Sequence, residues 1–422
     1  MNIPRPRGTR DLLHETLRAF LRIENAASSV FERFGYQPIR IPIFERAELF
    51  IRSVGEETDI VSKEMYTFQD RGGRDLTLRP EGTAGTARAA IENGLLSRGE
   101  ARKFYYTGPM FRYERPQAGR YREFWQTGIE SFGSNDPLID AETILCAQLF
   151  LDELNIAPVR IRLNSVGSGE RHTYADALKQ HLQPNFENLG PQDKARFENN
   201  ALRLLDSKDP NTKRMLENAP SILDFLSDES RAHLDAVQNA LDAAGVKYQL
   251  DPSIVRGLDY YTGTVFEISV DSLGAQDVVV GGGRYNGLIE QLGGKPTPGI
   301  GFAAGIDRLA LAMSAQDSLE ETSPLIQVWI VAIGEEAKPR AFALLNEIRR
   351  AGMRADMDYQ GRGVRSQLRT ADRLNAHYAV ILGEDELARG EATLKKMSDG
   401  TQESAPLDET AARLRQSVPT NT

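Results

Sequence analysis

The sequence predicts an α+β protein: a mostly antiparallel sheet core interrupted by a helical insertion, followed by a smaller α/β domain. Three observations lead there. Short apolar strand patterns separated by Gly and Pro recur from Tyr36 to about Ser134 and return in TVFEISV (264–270) and VVVGGG (278–283). Between them, residues 170–250 are rich in Leu and Ala at helical spacing and punctuated by Pro184, Pro191, Pro210 and Pro220. After the polar stretch SAQDSLEETSP, residues 325–400 alternate strand and helix, as a small domain with parallel pairing would. The boundaries drawn are 1–169 for the first part of the core, 170–250 for the insertion, 251–318 for the second part of the core and 325–422 for the last domain.

Taken in order, Leu12, Phe20, Ile23, Ala27, Val30, Phe31 and Phe34 recur at helical spacing, so a helix is expected over 9–35, capped by Thr9 and stopped at Gly35. Strands follow at 39–43, 76–78, 103–106, 110–113 and 124–132, with helices near 45–53 and 81–93. The run DAETILCAQLF reads as a helix. Beyond the insertion, the Gly-rich stretch 281–301 leads into a helix at 302–313. In the last domain, strands IQVWIVAI and HYAVILG flank helices at 337–351 and 364–374.

Composition narrows the function. With 40% hydrophobic and 26% charged residues in 422, the chain is globular, and it contains no run of about 18 apolar residues that would span a bilayer. MNIPRPRGTR is followed by Asp11 and Glu15 instead of an apolar stretch, so no secretory signal is expected and the cytoplasm is the expected location. The single cysteine, Cys146, sits among apolar neighbours and reads as core packing. Five scattered histidines have no metal-ligand spacing. No GxxxxGK[ST] occurs, which excludes a P-loop site, and without GxSxG serine hydrolase chemistry lacks support. A net charge of -9 leans away from nucleic acid, but it is an average. Residues 98–123 carry seven basic against three acidic side chains and residues 338–373 carry nine against four, two strips of the sign that phosphate requires.

The most informative segment is PMFRYERPQAGRYREFWQTGIESFG (109–133). Strand alternation puts Phe124, Gln126, Gly128 and Glu130 on one face, with Trp125, Thr127, Ile129 and Phe132 toward the other or its margin. An aromatic, an amide and a carboxylate in line, preceded by Arg112, Glu114 and Arg120, can stack a base, bind an amine or imidazole and neutralise phosphate. The same run can equally be the solvated face of an edge hairpin. In VRGLDYYTGTVFEISV (255–270), two tyrosines offer rings with hydroxyls beside Arg256, or they cap a core. The glycines of GGGRYNGLIEQLGG (281–294) allow close approach of a ligand or another backbone. Gly299, Gly301 and Ala304 satisfy GxGxxA, but without a preceding strand a dinucleotide fingerprint is rejected. Arg308 falls near a helix N-terminus, where a cation and the dipole face phosphate together.

Taken together, these segments resemble the histidyl-tRNA synthetases, a class II aminoacyl-tRNA synthetase family. Arg112-Tyr-Glu114 with Arg120 and Phe124 resembles motif 2, GIGFAAGIDRL ending at Arg308 and Leu309 resembles motif 3, and the opening helix with IRIPIFE resembles motif 1, the dimer-forming element. RGLDYY (256–261) and GGGRYNGL (281–288) resemble the signatures particular to the histidine enzymes. The resemblance implies a class II sheet core and a C-terminal anticodon-binding domain. It implies histidine binding by Glu81, Gly82, Thr83, Arg112, Gln126, Glu130, Arg256, Tyr260 and Tyr261. ATP would be bound by Arg112, Glu114, Arg120, Phe124 and Arg308, with Arg256, Arg112 and Arg308 catalytic. Arg115, Gln117 and Arg122 would meet the tRNA acceptor end, and Mg²⁺ accompanies ATP, with Glu267 a candidate ligand. The implied partners are L-histidine, tRNA(His) and a second copy of the chain through motif 1, with no membrane. Asn286, Asp307, Trp125 and Ala118 depart from the commonest family residues.

Histidine–tRNA ligation is thus the expected activity. The alternative is the synthetase-like regulatory subunit of ATP phosphoribosyltransferase, which usually lacks RGLDYY and the last domain. A tRNA-sensing module fused to a kinase would bring a kinase signature, and none is present.

Overall fold

The computed structural model describes residues 3–55, 58–97, 99–167, 169–205, 207–255, 260–316 and 326–418, with only the backbone at 275 and 276. It divides into two compact units, Met1–Leu319 and Glu320–Thr422.

In the first unit six strands form an antiparallel sheet in the order Arg102–Phe111, Glu123–Phe132, Gly299–Gly305, Val278–Arg284, Thr264–Val270 and Val159–Ser165. Two-residue strands, Gln37–Pro38 and Gln249–Leu250, add in parallel at its two edges. One face buries Ile129, Phe266, Phe302 and Ile161 against Ile23 and Phe31 of helix His14–Arg33 and Phe150 of helix Pro137–Glu153. Each such side chain contributes about 1.5–3 kcal/mol by leaving water. The opposite face carries the site and is flanked by helices Thr83–Glu92 and Leu288–Gln291. Cys146 is fully buried in the helix-side core, where burial pushes its thiol up.

Several boundaries differ from expectation, each for a local reason. The first helix starts at His14, and the Thr9 hydroxyl caps a preceding turn instead, donating to Pro6 O at 2.9 Å. Residues 39–43 form no strand: Pro42 has no N–H, and the Arg79 guanidinium takes up Ile41 O at 2.8 Å. The strands expected at 103–106 and 110–113 are one, Arg102–Phe111. Gly108-Pro109 stays in the ladder because Arg79 reaches across it, its Nε donating to Pro109 O and its backbone O accepting from Phe111 N. Phe302–Gly305, expected to be helical, closes the strand Gly299–Gly305, and the helix is Ile306–Ala315.

Within residues 170–250, Pro191 and Pro210 open helices Pro191–Asn199 and Pro210–Leu216, where a missing N–H is harmless. These helices and Glu170–Leu182 share a core of Tyr174, Leu178, Phe197 and Leu202. The following helix, Asp228–Ala243, instead buries Leu234, Val237 and Leu241 in the main core. In the second unit Ala355–Met357, Val328–Ala332 and Tyr378–Leu382 pair in parallel as expected. An antiparallel hairpin, Glu391–Lys396 with Gln402–Pro406, extends the sheet.

Candidate active site

The open face of the large sheet holds a cleft of about 200 Å³. Strand Glu123–Phe132 sends Phe124 and Gln126 into its lining and Glu130 into the adjoining interior, the alternation expected. Phe132 follows Glu130 to this face, packing at 6.3 Å on Tyr285, and not toward helices His14–Arg33 and Pro137–Glu153. The reason is the strict two-residue period, which here runs to the strand end.

At the outer end, Arg112, Glu114, Arg120, Phe124 and Arg308 all line the cleft. The Arg112 guanidinium lies 5.2 Å from the Phe124 ring while its Nε donates to Pro80 O at 2.9 Å, so ring and cation are presented together. Arg120 Nη1 pairs with Glu114 at 3.2 Å. Arg308, in the first turn of Ile306–Ala315, donates from Nη1 to Val278 O at 2.7 Å. Beside it, Asp307 is buried. One carboxylate oxygen accepts Trp125 N–H at 2.7 Å and the other meets Arg10, and desolvation raises its pKa.

At the inner end the chemistry changes to buried carboxyls and phenols. Glu81 sits before helix Thr83–Glu92 and accepts the N–H groups of Thr83 (2.6 Å) and Ala84 (2.9 Å), two of the donors that a helix N-terminus leaves open. Burial raises its pKa, offset by those bonds. The Glu130 carboxyl is 1% exposed, accepts the Thr83 hydroxyl at 2.7 Å and is bonded by the Tyr285 hydroxyl. Desolvation pushes it up to about 8 against the pull of these bonds. Tyr260 and Tyr261 are buried nearby, Tyr260 with its ring 5.6 Å from Tyr285.

Two buried polar atoms, Gln126 Oε1 and the Tyr106 hydroxyl, have no hydrogen-bond partner among the described residues. An orphaned acceptor in a cleft wall is what a bound ammonium would satisfy. Backbone approach is enforced by glycine. A Cβ at Gly301 would lie 2.3 Å from Glu130 Oε2 and 2.2 Å from Ile129 O, and one at Gly128 would lie 2.6 Å from the Tyr106 hydroxyl.

The remaining sequence candidates are dispersed. Arg256 lies outside the described residues, and Gly82 abuts the Tyr106 ring. Arg115 and Gln117 are exposed on the hairpin after Arg102–Phe111. Arg122 is half-buried, its guanidinium 3.7 Å from the Tyr113 ring. Glu267 pairs with Arg162 at 2.5 Å and stands opposite Gly281, a cleft-lining residue. Among the described residues no group of three or more His, Cys, Asp or Glu side chains could hold a metal. Sequence reasoning missed Tyr285 as the partner of Glu130, Tyr106 as the ring against Gly82 and Gly128, and Asp307 as a bracket. Tyr285 was signalled only by its place in the GGGRYNG run, and Tyr106 by alternation along KFYYTG.

Residues 8–309 match the family model described as Histidyl-tRNA synthetase, and residues 327–417 match Anticodon binding domain. The histidine–tRNA ligase of Halothermothrix orenii is 49% identical over 95% of this chain and 96% of its own length. That of Geobacillus kaustophilus is 46% identical over 98% of each. The crystal structure of apo S. aureus histidyl-tRNA synthetase is similar at a TM-score of 0.83 and 36% identity, covering 98% of this chain and 100% of that one. A structure described as an ATP phosphoribosyltransferase regulatory subunit/histidyl-tRNA synthetase from Bacillus halodurans C shares the fold at a TM-score of 0.66 and 22% identity, over 91% and 99%. The arginine-lined cleft, the buried carboxyl beside it and near full-length identity to curated ligases agree: the chain belongs to the histidyl-tRNA synthetase family.

Proposed function

We infer that this chain activates L-histidine with ATP, releasing pyrophosphate, and transfers the histidyl group to the 3′ end of tRNA(His). The observation that carries the reading is the contiguity of two chemistries on one sheet face: a cation- and ring-lined cleft suited to a nucleotide, and beside it a buried carboxyl–phenol cluster suited to an imidazole. The regulatory-subunit alternative is disfavoured by identities of 49% and 46% to ligases across nearly the whole chain.

In this reading Phe124 stacks adenine, and Arg112, Arg120 and Arg308 hold phosphates with Glu114 fixing Arg120. Gln126 and Glu81 receive the ammonium, and Gly82 leaves room for the Tyr106 ring. Glu130, held by Thr83 and Tyr285, meets one imidazole nitrogen, and Tyr260 and Tyr261 wall the ring. A histidine carboxylate oxygen attacks the α-phosphorus. The new P–O bond forms as the bond to the β-phosphate oxygen breaks, and the electron pair leaves with pyrophosphate. Arg112 and Arg256 stabilise the charge that grows on the α-phosphoryl oxygens, a role in which one preorganised donor is worth about 3–4 kcal/mol. In the second step a ribose hydroxyl of the terminal nucleotide attacks the adenylate carbonyl and AMP departs.

Magnesium fits as a companion of ATP, since it binds mainly through phosphate oxygens with one or two carboxylates. Glu267 can contribute only if its pairing with Arg162 yields. Arg115, Gln117 and Arg122 are proposed for the acceptor end, residues 325–422 for the anticodon stem, motif 1 for a homodimer and the cytoplasm for the location. The segments 1–169, 170–250 and 251–318 are the proposed division of the larger unit, with helix Asp228–Ala243 and strand Gln249–Leu250 of the middle segment built into the main core. Incubation with labelled histidine, ATP and a tRNA(His) transcript should give acid-precipitable label, and its absence alongside normal adenylate formation would refute the transfer step.

A further inference from the structure

The segment before the first helix is bound to the nucleotide end of the cleft at several points. Arg10 Nη1 donates to the Tyr121 hydroxyl at 3.2 Å, and its guanidinium lies 4.2 Å from the Tyr121 ring and 5.3 Å from that of Phe20. Its other nitrogen pairs with Asp307. Two residues earlier, Gly8 O accepts the backbone N–H of Arg122 at 2.8 Å. Gly8 has φ +89°, and a Cβ there would lie 2.7 Å from Arg122 Cγ, so the segment runs directly on that side chain.

Tyr121 and Asp307 both line the cleft, from opposite motifs. Asp307 also accepts Trp125 N–H, which fixes the helix turn bearing Arg308 to the strand bearing Phe124. Arg10 is the cation that faces this buried carboxylate, and a buried acid that loses its cation protonates or draws in water, loosening the bracket. The inner pocket of Glu81, Glu130 and Tyr285 has its own bonds and makes none to Arg10 among those described.

We propose that Arg10 is a positioning residue for ATP: by holding Tyr121 to Asp307 from outside the cleft, it sets the spacing of the Phe124 shelf and the Arg308 arm. The inference rests on the ligase reading and assigns the N-terminal segment to the nucleotide half of that site.

The test is histidine-dependent ATP–pyrophosphate exchange on the full chain. Arg10→Ala should raise the ATP KM about tenfold, leave the histidine KM within about twofold, and stay folded by thermal unfolding. Arg10→Lys, which keeps the charge but loses the fork, should fall between, and Tyr121→Phe should show a smaller rise in ATP KM alone. An unchanged ATP KM, or equal changes for both substrates, overturns the proposal. If Arg10→Ala does not fold, Arg10→Lys and Tyr121→Phe decide by the same criterion. Failure of the wild-type chain to exchange would instead strike the ligase reading, so the two failures are distinct.

Discussion

The two ends of the cleft solve recognition in opposite ways. The outer end is open and ionic: Arg120 and Glu114 pair with 40% and 19% of their side chains exposed. The inner end is closed, with Glu130 1% exposed and its carboxyl held by a threonine and a tyrosine. The difference matches the ligands proposed. A triphosphate brings charge that partly exposed guanidinium groups can meet without large desolvation cost. An imidazole differs from its competitors by one or two ring nitrogens, and only a buried partner that is left unpaired by the wrong side chain discriminates strongly.

The comparison can be broken at its most rigid point. Gly301→Ala places a methyl where Ile129 O and Glu130 Oε2 already stand, and one of those contacts is backbone and cannot swing away. Exchange activity should fall by more than about 100-fold, with a stability loss of about 1–3 kcal/mol seen in denaturant unfolding. Wild-type activity would mean that Glu130 is not fixed by this backbone. Glu130→Gln keeps the shape but alters the imidazole partner, so the histidine KM should rise about 10- to 100-fold while the ATP KM stays within about twofold. Phe124→Ala should do the reverse, raising the ATP KM about five- to tenfold, as loss of one base-stacking ring does, with histidine little affected.

The last effect is on stability. The Glu130 pKa is raised to about 8, so between about pH 4.5 and 8 the folded protein keeps a proton that the unfolded chain has lost. Stability should therefore fall as pH rises through that window, by at most about 1.4 kcal/mol per pH unit, and level off above it. Glu130→Gln lacks this slope, so unfolding midpoints of the two proteins should draw apart on one side of the window. Parallel pH profiles would contradict a neutral Glu130.

These contrasts were unevenly legible in the sequence. Strand Glu123–Phe132 could be read because its two-residue period sorts Phe124, Gln126 and Glu130 from Trp125 and Ile129, and the structure keeps that sorting except at Phe132. Gly108-Pro109 was misread as a turn because what keeps it extended, Arg79, comes from 30 residues away. Phe302–Gly305 was misread because small and apolar residues suit either period, and pairing with Glu123–Phe132 and Val278–Arg284 decides it. Glu81 was legible as a site residue in RPEGT. Its bonds to the helix N–H groups of Thr83 and Ala84 were not, since they depend on where that helix begins. Arg10 had no local signal at all: its partners Tyr121 and Asp307 lie 111 and 297 residues away.

The division of the cleft into a nucleotide end and an imidazole end is tested most directly by ATP–pyrophosphate exchange measured with each of the twenty amino acids in turn. The buried Glu130–Thr83–Tyr285 cluster predicts exchange with histidine alone. Exchange with another amino acid at a comparable rate, or none with histidine, would contradict it.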